Sequence, residues 1–582
     1  MPVISPQEEI SVSEPKLRLN ADDATSERRV IVWTWVAVAI FGFLQAVVGR
    51  FYMNPDGISY ADLADSYIRG EWHAAVSAYW SPLYPLLLSI TFRLFHPTPY
   101  FEAAVIHLLN FLLYLCCFAA LQLFIFEIAH DRVLPFAARQ ELRFSRPALL
   151  ALGAAGFLLA TQYYLPLFLV TPDLCVVALG LLSAFVILRM ERLGTTHHRL
   201  IALGVILGTG YLAKAAFFPV AFVFMGTALA RKTPWSTILK RTAVLLLAFL
   251  TIAGPNIFAI SSIKRSLTFA DTGRLNYLWF VNGTSSTNFE VHGQAQGTPT
   301  HQTRKIFADP NVYEFATPIK GTYPVWFDPS YWNDGLHPKF DIEQQLNAIG
   351  STSRAYVLMF SSLNWLYFAL LVLGILQHTS GFSCFTSIRE YWRIAIPALA
   401  ALAVYCPVYV EGRYVAGFLL ILLIVLFVSI RLPIHLLSER ILQAVSVGLV
   451  IAAGVALCPQ LRSNIEASTY PLPNEHWNVA KALHQEFELH DGDSVGCIDN
   501  CFYSYWARLG KFRIVTEVPT EQTHVFRRSD RSTQLAALNA MARVGAKVVV
   551  TRQFFGPGWK QIGQTEYFAY DLRSLVTNTD TR

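Results

Sequence analysis

Residues 30–49 read VIVWTWVAVAIFGFLQAVVG, a run without a charged side chain. About 20 apolar residues are enough for a helix to cross the roughly 30 Å hydrocarbon core of a bilayer. A polar segment, Asn54-Pro55-Asp56-Gly57-Ile58-Ser59-Tyr60, follows a few residues later. The sequence therefore predicts a first spanning helix with a carboxylate, Asp56, at the outer mouth of a helical bundle, where hydrocarbon gives way to water.

The composition of the whole chain agrees with a membrane protein. Of its 582 residues, 54% are hydrophobic and only 15% are charged, and the mean hydropathy is +0.39. Several further apolar runs have spanning length. The formal net charge of +6 is spread among the connections and does not form one basic domain. We therefore expect membrane lipid, and not nucleic acid, around this protein.

Arginine and lysine fall in alternate connections, which sets the expected topology. The basic segments are Arg28-Arg29, 132–146, 189–199, 231–241, 389–393 and 431–440. The positive-inside rule makes these cytoplasmic. The topology is consistent if the short run 82–95, broken by Pro82 and Pro85, is a re-entrant or interfacial helix.

The resulting fold class is an α-helical polytopic membrane protein with about 11 transmembrane helices. The predicted spans are 30–49, 101–129, 147–169, 173–190, 200–213, 216–230, 242–260, 355–376, 394–410, 414–430 and 441–457. The domains are a cytoplasmic polar leader (1–29), a membrane core (30–457) with outer loops of about 50–100 and 261–354, and an outer tail (458–582). The spans flanking Lys214 are short, so they either tilt little or stop below the bilayer surface and leave a cavity.

The tail has a different character from the membrane core. Apolar runs rich in β-formers, such as 494–498 and 546–551, alternate with helical stretches such as 477–487 and 533–544. This alternation predicts a small extracytoplasmic α/β domain. Cys497 and Cys501 form either a disulfide or two unlinked thiols, and no cysteine spacing is typical of a zinc site.

Four ionisable residues are predicted to meet at the outer face of the membrane: Asp56, Asp173, Lys214 and Arg413. Charged groups at membrane depth cost a few kcal/mol each, so they tend to face a wet or protein-lined cavity and to have a function. Two acids and two bases together suggest a transfer reaction on an anionic lipid. Structural alternatives remain open for each: a helix cap for Asp56 and for Asp173, snorkelling for Lys214, and pairing with Glu411 for Arg413.

At these positions the chain resembles the C-type glycosyltransferases, including protein mannosyltransferases and the lipid A aminoarabinose transferase. The resemblance covers roughly residues 30–430. It rests on Asp56 to Tyr60, Trp80-Ser81-Pro82-Leu83-Tyr84-Pro85, Thr171-Pro172-Asp173, Gly208 to Lys214, and Arg413-Tyr414. Two departures are Gly57, where the family often has a second acid, and Ala215-Ala216, where a Gly-Pro pair often follows the lysine. They leave the identity of the donor open.

The resemblance implies a glycosyltransferase that moves a sugar from a polyprenyl-phosphate donor to a lipid, glycan or protein acceptor outside the cytoplasm. Asp56 is the expected general base, and Asp173 is expected to orient the acceptor or a cation, or to hold Lys214 or Arg413 in place. Lys214 and Arg413 are expected to bind the donor phosphate. Tyr60, Trp80, Tyr84 and Tyr414 are the expected substrate-lining residues. The use of a divalent metal ion stays open, and no other cofactor is implied.

The sequence also allows two other functions and a second location. A transporter or lipid flippase also has intramembrane charges and broken helices, but it would show paired interruptions in two halves, which this sequence lacks. A non-catalytic scaffold with a partner-binding tail is the third reading. A bacterial plasma membrane is the expected location, although the endoplasmic reticulum would present the same topology.

Overall fold

The computed structural model describes residues 21–130, 141–231, 233–287, 295–315, 321–361, 364–469 and 474–576. Most of the predicted leader, residues 1–20, lies outside the described residues, as does part of the basic connection 132–146. The first helix already begins within the leader, at Ala21, and runs to Val48.

Helices form nearly all of the membrane core. Its first half comprises α1 (Ala21–Val48), α2 (Pro55–Ile68), α3 (Trp72–Ala75), α4 (Leu83–Phe95), α5 (Glu102–Ile128), α6 (Arg146–Tyr163), α7 (Asp173–Leu193), α8 (His197–Ala213), α9 (Phe217–Leu229), α10 (Trp235–Lys264) and α11 (Thr272–Phe280). After strands β1 (Arg304–Phe307) and β2 (Val312–Glu314) follow α12 (Pro324–Phe327), α13 (Pro329–Trp332), α14 (Ile342–Ser361), α15 (Asn364–Thr379), α16 (Cys384–Arg389), α17 (Trp392–Tyr405), α18 (Gly412–Ser429) and α19 (Leu436–Thr469).

The apolar helices make the chain a multi-pass membrane protein. Among the described residues, six helices are long and apolar enough to cross a membrane, and seven if α14 and α15 count as one broken span. The short helices α4, α9 and α17 are also apolar. Helices lie at all eleven predicted spans, but the span predicted over 355–376 is two helices bent by 80°. The count of eleven spans stays a prediction.

Ion pairs join the predicted cytoplasmic connections into one face of the bundle. Each pair links the ends of two helices, and the pairs are Arg146–Glu27, Arg192–Glu127 and Arg393–Glu191. Asp56, Asp173, Lys214 and Arg413 lie at the opposite ends of their helices or just beyond them. The charge pattern of the sequence thus separates two faces that the structure also keeps apart.

The C-terminal part folds around a seven-stranded sheet. Its elements are α20 (Glu475–Glu486), β3 (Ser494–Ile498), α21 (Tyr505–Leu509), β4 (Arg513–Val518), α22 (Thr520–Arg528), α23 (Arg531–Arg543), β5 (Val548–Thr551), β6 (Trp559–Gln561), β7 (Phe568–Asp571) and α24 (Arg573–Val576). The strand order is β1-β2-β4-β3-β5-β7-β6. The strands β4, β3 and β5 are parallel, whereas β2 pairs antiparallel with β4.

Two elements of the structure cross the domain boundaries expected from the sequence. Strands β1 and β2 come from the outer loop 261–354, so the sheet is not built from the tail alone. Helix α19 runs on to Thr469, beyond the expected border at residue 458. Both differences arise because a short strand of three or four residues, and the last turns of a long helix, give little local signal in the sequence.

Arg508 on α21 attaches this C-terminal domain to the membrane core. Its guanidinium lies 2.7 Å from Asp62 and 2.8 Å from Asp65, both on α2, and 2.8 Å from Glu102 on α5. The Arg508 side chain is only 5% exposed. Asp62 also accepts hydrogen bonds from the backbone N–H and the hydroxyl of Thr322. The helix that begins beside Asp56 is therefore fixed at its other end by the C-terminal domain.

Candidate active site

A cavity of about 450 Å³ lies at the face of the bundle opposite the basic connections. The start of α2, the start of α7, the break between α8 and α9, and the start of α18 all reach it. Seven of the eight residues predicted for the site line this cavity, namely Asp56, Tyr60, Trp80, Asp173, Lys214, Arg413 and Tyr414. Residues far apart in the sequence are thus brought into one site.

Asp56 stands in the first turn of α2, which Pro55 helps to start. Its carboxylate accepts a hydrogen bond of 3.3 Å from the indole N–H of Trp326 and lies 3.4 Å from the guanidinium of Arg413. The N-cap position belongs to Asn54, whose side-chain oxygen accepts from the backbone N–H of Val170. The side chain of Asp56 therefore faces the cavity and does not cap the helix.

Asp173 and Lys214 form a close ion pair across the cavity. The ammonium of Lys214 lies 2.6 Å from Oδ1 of Asp173 and 3.6 Å from the centre of the Tyr414 ring. Lys214 itself has an extended backbone between α8 and α9, and its side chain lines the cavity where the two short helices meet. The second oxygen, Asp173 Oδ2, is buried and accepts no hydrogen bond from the described residues.

Arg413 connects the acids of the site. Its guanidinium pairs with Glu411, as the structural alternative proposed, but it also contacts Asp56 and lies 3.9 Å from Oδ2 of Asp173. The preceding residue is Gly412, where a Cβ atom would come within 2.8 Å of the Tyr164 ring. A larger residue would push the start of α18, and with it Arg413, away from the cavity.

Aromatic rings form the walls of the cavity. Tyr79, Trp80, Trp279 and Trp326 pack against one another, with centroid distances of 4.5 Å for Tyr79–Trp80 and 5.8 Å for Trp279–Trp326. Tyr84, predicted to line the substrate, is instead fully buried: its hydroxyl donates to Asn110, 2.7 Å away. It supports Tyr60 from behind at a centroid distance of 5.3 Å. Flat aromatic walls with a few polar groups are typical of sites for amphipathic substrates.

Burial sets the chemistry of Asp56. Burial raises the pKa of Asp56 above its ordinary value, while the guanidinium of Arg413 and the indole N–H of Trp326 oppose that rise. A carboxylate whose pKa lies closer to neutrality is a better proton acceptor for a hydroxyl than an ordinary one. Burial therefore makes the carboxylate of Asp56 more basic than an exposed one.

Tight packing around Gly57 explains why no second acid follows Asp56. A Cβ atom at Gly57 would come within 2.4 Å of the Met53 sulfur and 2.7 Å of the Val170 Cβ. Position 57 therefore has no room for a carboxylate. Among the described residues, no group of three or more His, Cys, Asp and Glu side chains is arranged to hold a metal ion.

Sequence reasoning missed one important residue of the site, Trp326. It lies in the predicted outer loop 261–354, directly before the aromatic segment 327–335. Its hydrogen bond to Asp56 joins residues separated by 270 positions. The only local signal was its place in an aromatic-rich outer loop.

Comparisons with known proteins gave the following. No protein-family model matches the sequence, and no curated protein matches it significantly. Among solved structures, ArnT from Cupriavidus metallidurans bound to undecaprenyl phosphate is similar over 93% of this chain and 97% of its own, with 11% identity and a TM-score of 0.46. The Archaeoglobus fulgidus oligosaccharyltransferase in complex with Zn and sulfate is similar over 89% of this chain and 67% of its own, with 12% identity and a TM-score of 0.45.

Both of these structures are C-type glycosyltransferases, the family that the sequence motifs resemble. The identities are low and both TM-scores lie below 0.5.

Proposed function

We propose that this protein is a membrane glycosyltransferase that moves a sugar from a polyprenyl-phosphate donor to a lipid, glycan or protein acceptor. The observation that carries the proposal is the meeting of Asp56, Asp173, Lys214 and Arg413 in one aromatic-walled cavity. A carboxylate with a raised pKa lies beside two cations there, and all three belong to the same face of the bundle. This combination suits transfer from an anionic, lipid-linked donor.

The reaction follows from where charge develops. The acceptor hydroxyl attacks the anomeric carbon of the sugar, and its proton passes to the carboxylate of Asp56. The bond between the anomeric carbon and the phosphate oxygen breaks, and polyprenyl phosphate leaves with the electron pair. Lys214 and Arg413 meet the negative charge that grows on this leaving group. A single displacement of this kind inverts the configuration at the sugar.

Asp173 has two tasks in this scheme. Its Oδ1 holds Lys214 in place. Its Oδ2, which accepts no hydrogen bond from the described residues, is the proposed acceptor for a hydroxyl group of the sugar or of the acceptor molecule. We place the cavity on the extracytoplasmic side of a bacterial plasma membrane, with the N-terminus in the cytoplasm. The asymmetry of basic residues supports this orientation.

A test of the donor site is the binding of undecaprenyl phosphate, the lipid present in the ArnT structure. We expect Lys214→Met to weaken binding about 10- to 100-fold, because a hydrogen bond to a charged group contributes about 1.5 to 3 kcal/mol. Native mass spectrometry of the detergent-solubilised protein, titrated with the lipid, measures this change.

The single substitution also leaves Asp173 buried without its cation, so a second variant is needed. Lys214→Met combined with Asp173→Asn removes both charges and restores a neutral pair. If Lys214 contacts the phosphate, the double variant still binds poorly. If the double variant binds like the parent protein, Lys214 only neutralises Asp173. The proposed contact between Lys214 and the donor phosphate is then wrong. Lys511→Met, on the exposed surface of the C-terminal domain, is the matched control and should bind normally.

A further inference from the structure

Trp326 makes hydrogen bonds to two separate parts of the chain at the cavity, α2 and the segment before α4. Its backbone carbonyl accepts a hydrogen bond of 2.9 Å from the hydroxyl of Ser59 on α2 and one of 3.1 Å from the indole of Trp80. Its own indole N–H donates to Oδ1 of Asp56. Both ends of the residue are therefore tied to the walls of the cavity, and one of them touches the proposed base.

The C-terminal domain supports Trp326 from behind. The ring of Phe502 lies 5.1 Å from the Trp326 ring, edge to face, and 5.3 Å from the Tyr323 ring. Phe502 directly follows Cys501, and the disulfide between Cys497 and Cys501 closes the loop after β3.

The position of this loop in the sheet is also informative. Strand β3 lies between β4 and β5, and all three are parallel, so their carboxyl ends lie at the same edge of the sheet. The loop after β3, which carries Phe502, leaves from that edge. This loop places the ring of Phe502 against the side of Trp326 that faces the C-terminal domain.

We propose that Trp326 is a positioning residue for Asp56, and that the C-terminal domain holds it in place through Phe502. This inference rests on the proposed function for the meaning of Asp56, but the contact itself does not depend on it. A donor hydrogen bond orients the carboxylate and favours its charged form. Through this contact, the C-terminal domain influences the orientation and the charge state of Asp56 in the membrane core.

Other groups also act on Asp56, and the substitutions proposed below leave them in place. Arg413 and Glu411 face it from the start of α18. The phenols of Tyr52, Tyr60 and Tyr79 face it from the segments around α2 and before α4. A change that follows substitution of Trp326 alone is therefore due to the lost indole.

The test measures the protonation of Asp56 directly and uses the whole purified protein without donor or acceptor. Dicyclohexylcarbodiimide reacts with protonated carboxyl groups in apolar surroundings, and mass spectrometry gives the labelled fraction of Asp56 at each pH. Asp62, buried on the same helix, is the internal reference. We expect Trp326→Phe to move the labelling midpoint of Asp56 to higher pH relative to Asp62, because the bond that favours the carboxylate is lost.

Two further variants separate positioning from general packing. Phe502→Leu leaves every polar contact of Asp56 intact and should move the midpoint in the same direction by a smaller amount. It also tests the inference if Trp326→Phe does not fold. Trp332→Phe removes an indole hydrogen bond to Pro324 in the same segment and should leave the midpoint unchanged.

The inference is overturned if Trp326→Phe labels like the parent protein, or if Trp332→Phe gives the same shift. An unchanged midpoint in Phe502→Leu overturns the part assigned to the C-terminal domain. Failure of the proposed function would appear instead as absent binding of undecaprenyl phosphate, with the labelling result unaffected.

Discussion

Replacing Asp56 by Asn is expected to lower the rate of sugar transfer by at least about 100-fold, the lower end of what a general base contributes. The amide has nearly the shape of the carboxylate but cannot take the proton of the acceptor hydroxyl. Arg413 keeps its pairing with Glu411, so the site should stay assembled. Binding of the donor lipid should therefore survive although transfer fails.

The rate can be followed as release of undecaprenyl phosphate from a panel of undecaprenyl-phosphate hexoses and pentoses. The control is Asp491→Asn, an exposed acid of the C-terminal domain paired with Lys511, which should transfer normally. Full activity in Asp56→Asn would refute Asp56 as the base. Loss of both transfer and lipid binding would instead indicate that Asp56 is needed to assemble the cavity.

Replacing Arg508 by Met is expected to have the largest effect on stability. It would leave Asp62, Asp65 and Glu102 facing one another without the cation that now contacts all three. Removing one partner from a buried ion pair typically costs about 3 to 5 kcal/mol, because the remaining charge is left uncompensated. We expect a clear fall in the melting temperature of the detergent-solubilised protein and loss of transfer, since α2 also carries Asp56.

Charge neutralisation distinguishes this explanation from a loss of packing. Adding Asp62→Asn and Glu102→Gln to Arg508→Met removes most of the uncompensated charge and should recover much of the melting temperature. Arg513→Met, an exposed arginine of β4, is the control and should melt with the parent protein. If Arg508→Met also melts with the parent protein, the ion cluster does not hold the two parts together.

The convergence of the charged residues could be predicted because it follows from helix directions. Each of Asp56, Asp173, Lys214 and Arg413 stands at or beside a helix end, and the basic connections assign all those ends to one face. This prediction required only the ends of the apolar runs and the side of the membrane on which each connection lies. The structure adds the distances, including the 2.6 Å pair between Lys214 and Asp173.

What the sequence did not reveal depends on contacts between distant segments. The pairing of β2 with β4 and the bond from Trp326 to Asp56 both join outer loops to remote partners. Tyr84 follows the expected aromatic pattern but points into the core, because its hydroxyl finds Asn110 on α5. Periodicity and spacing describe a single segment, and they contain no information on which other segment will cover it.

We propose that a proton acceptor, Asp56, and two phosphate-binding cations, Lys214 and Arg413, share one cavity at the outer face. The most direct measurement is a cryo-electron microscopy structure of the full chain with undecaprenyl phosphate bound. We expect the phosphate to bind in the aromatic-walled cavity, within hydrogen-bond reach of Lys214 and Arg413 and on the side of Asp56. A phosphate bound outside this cavity, in contact with neither cation, would contradict it.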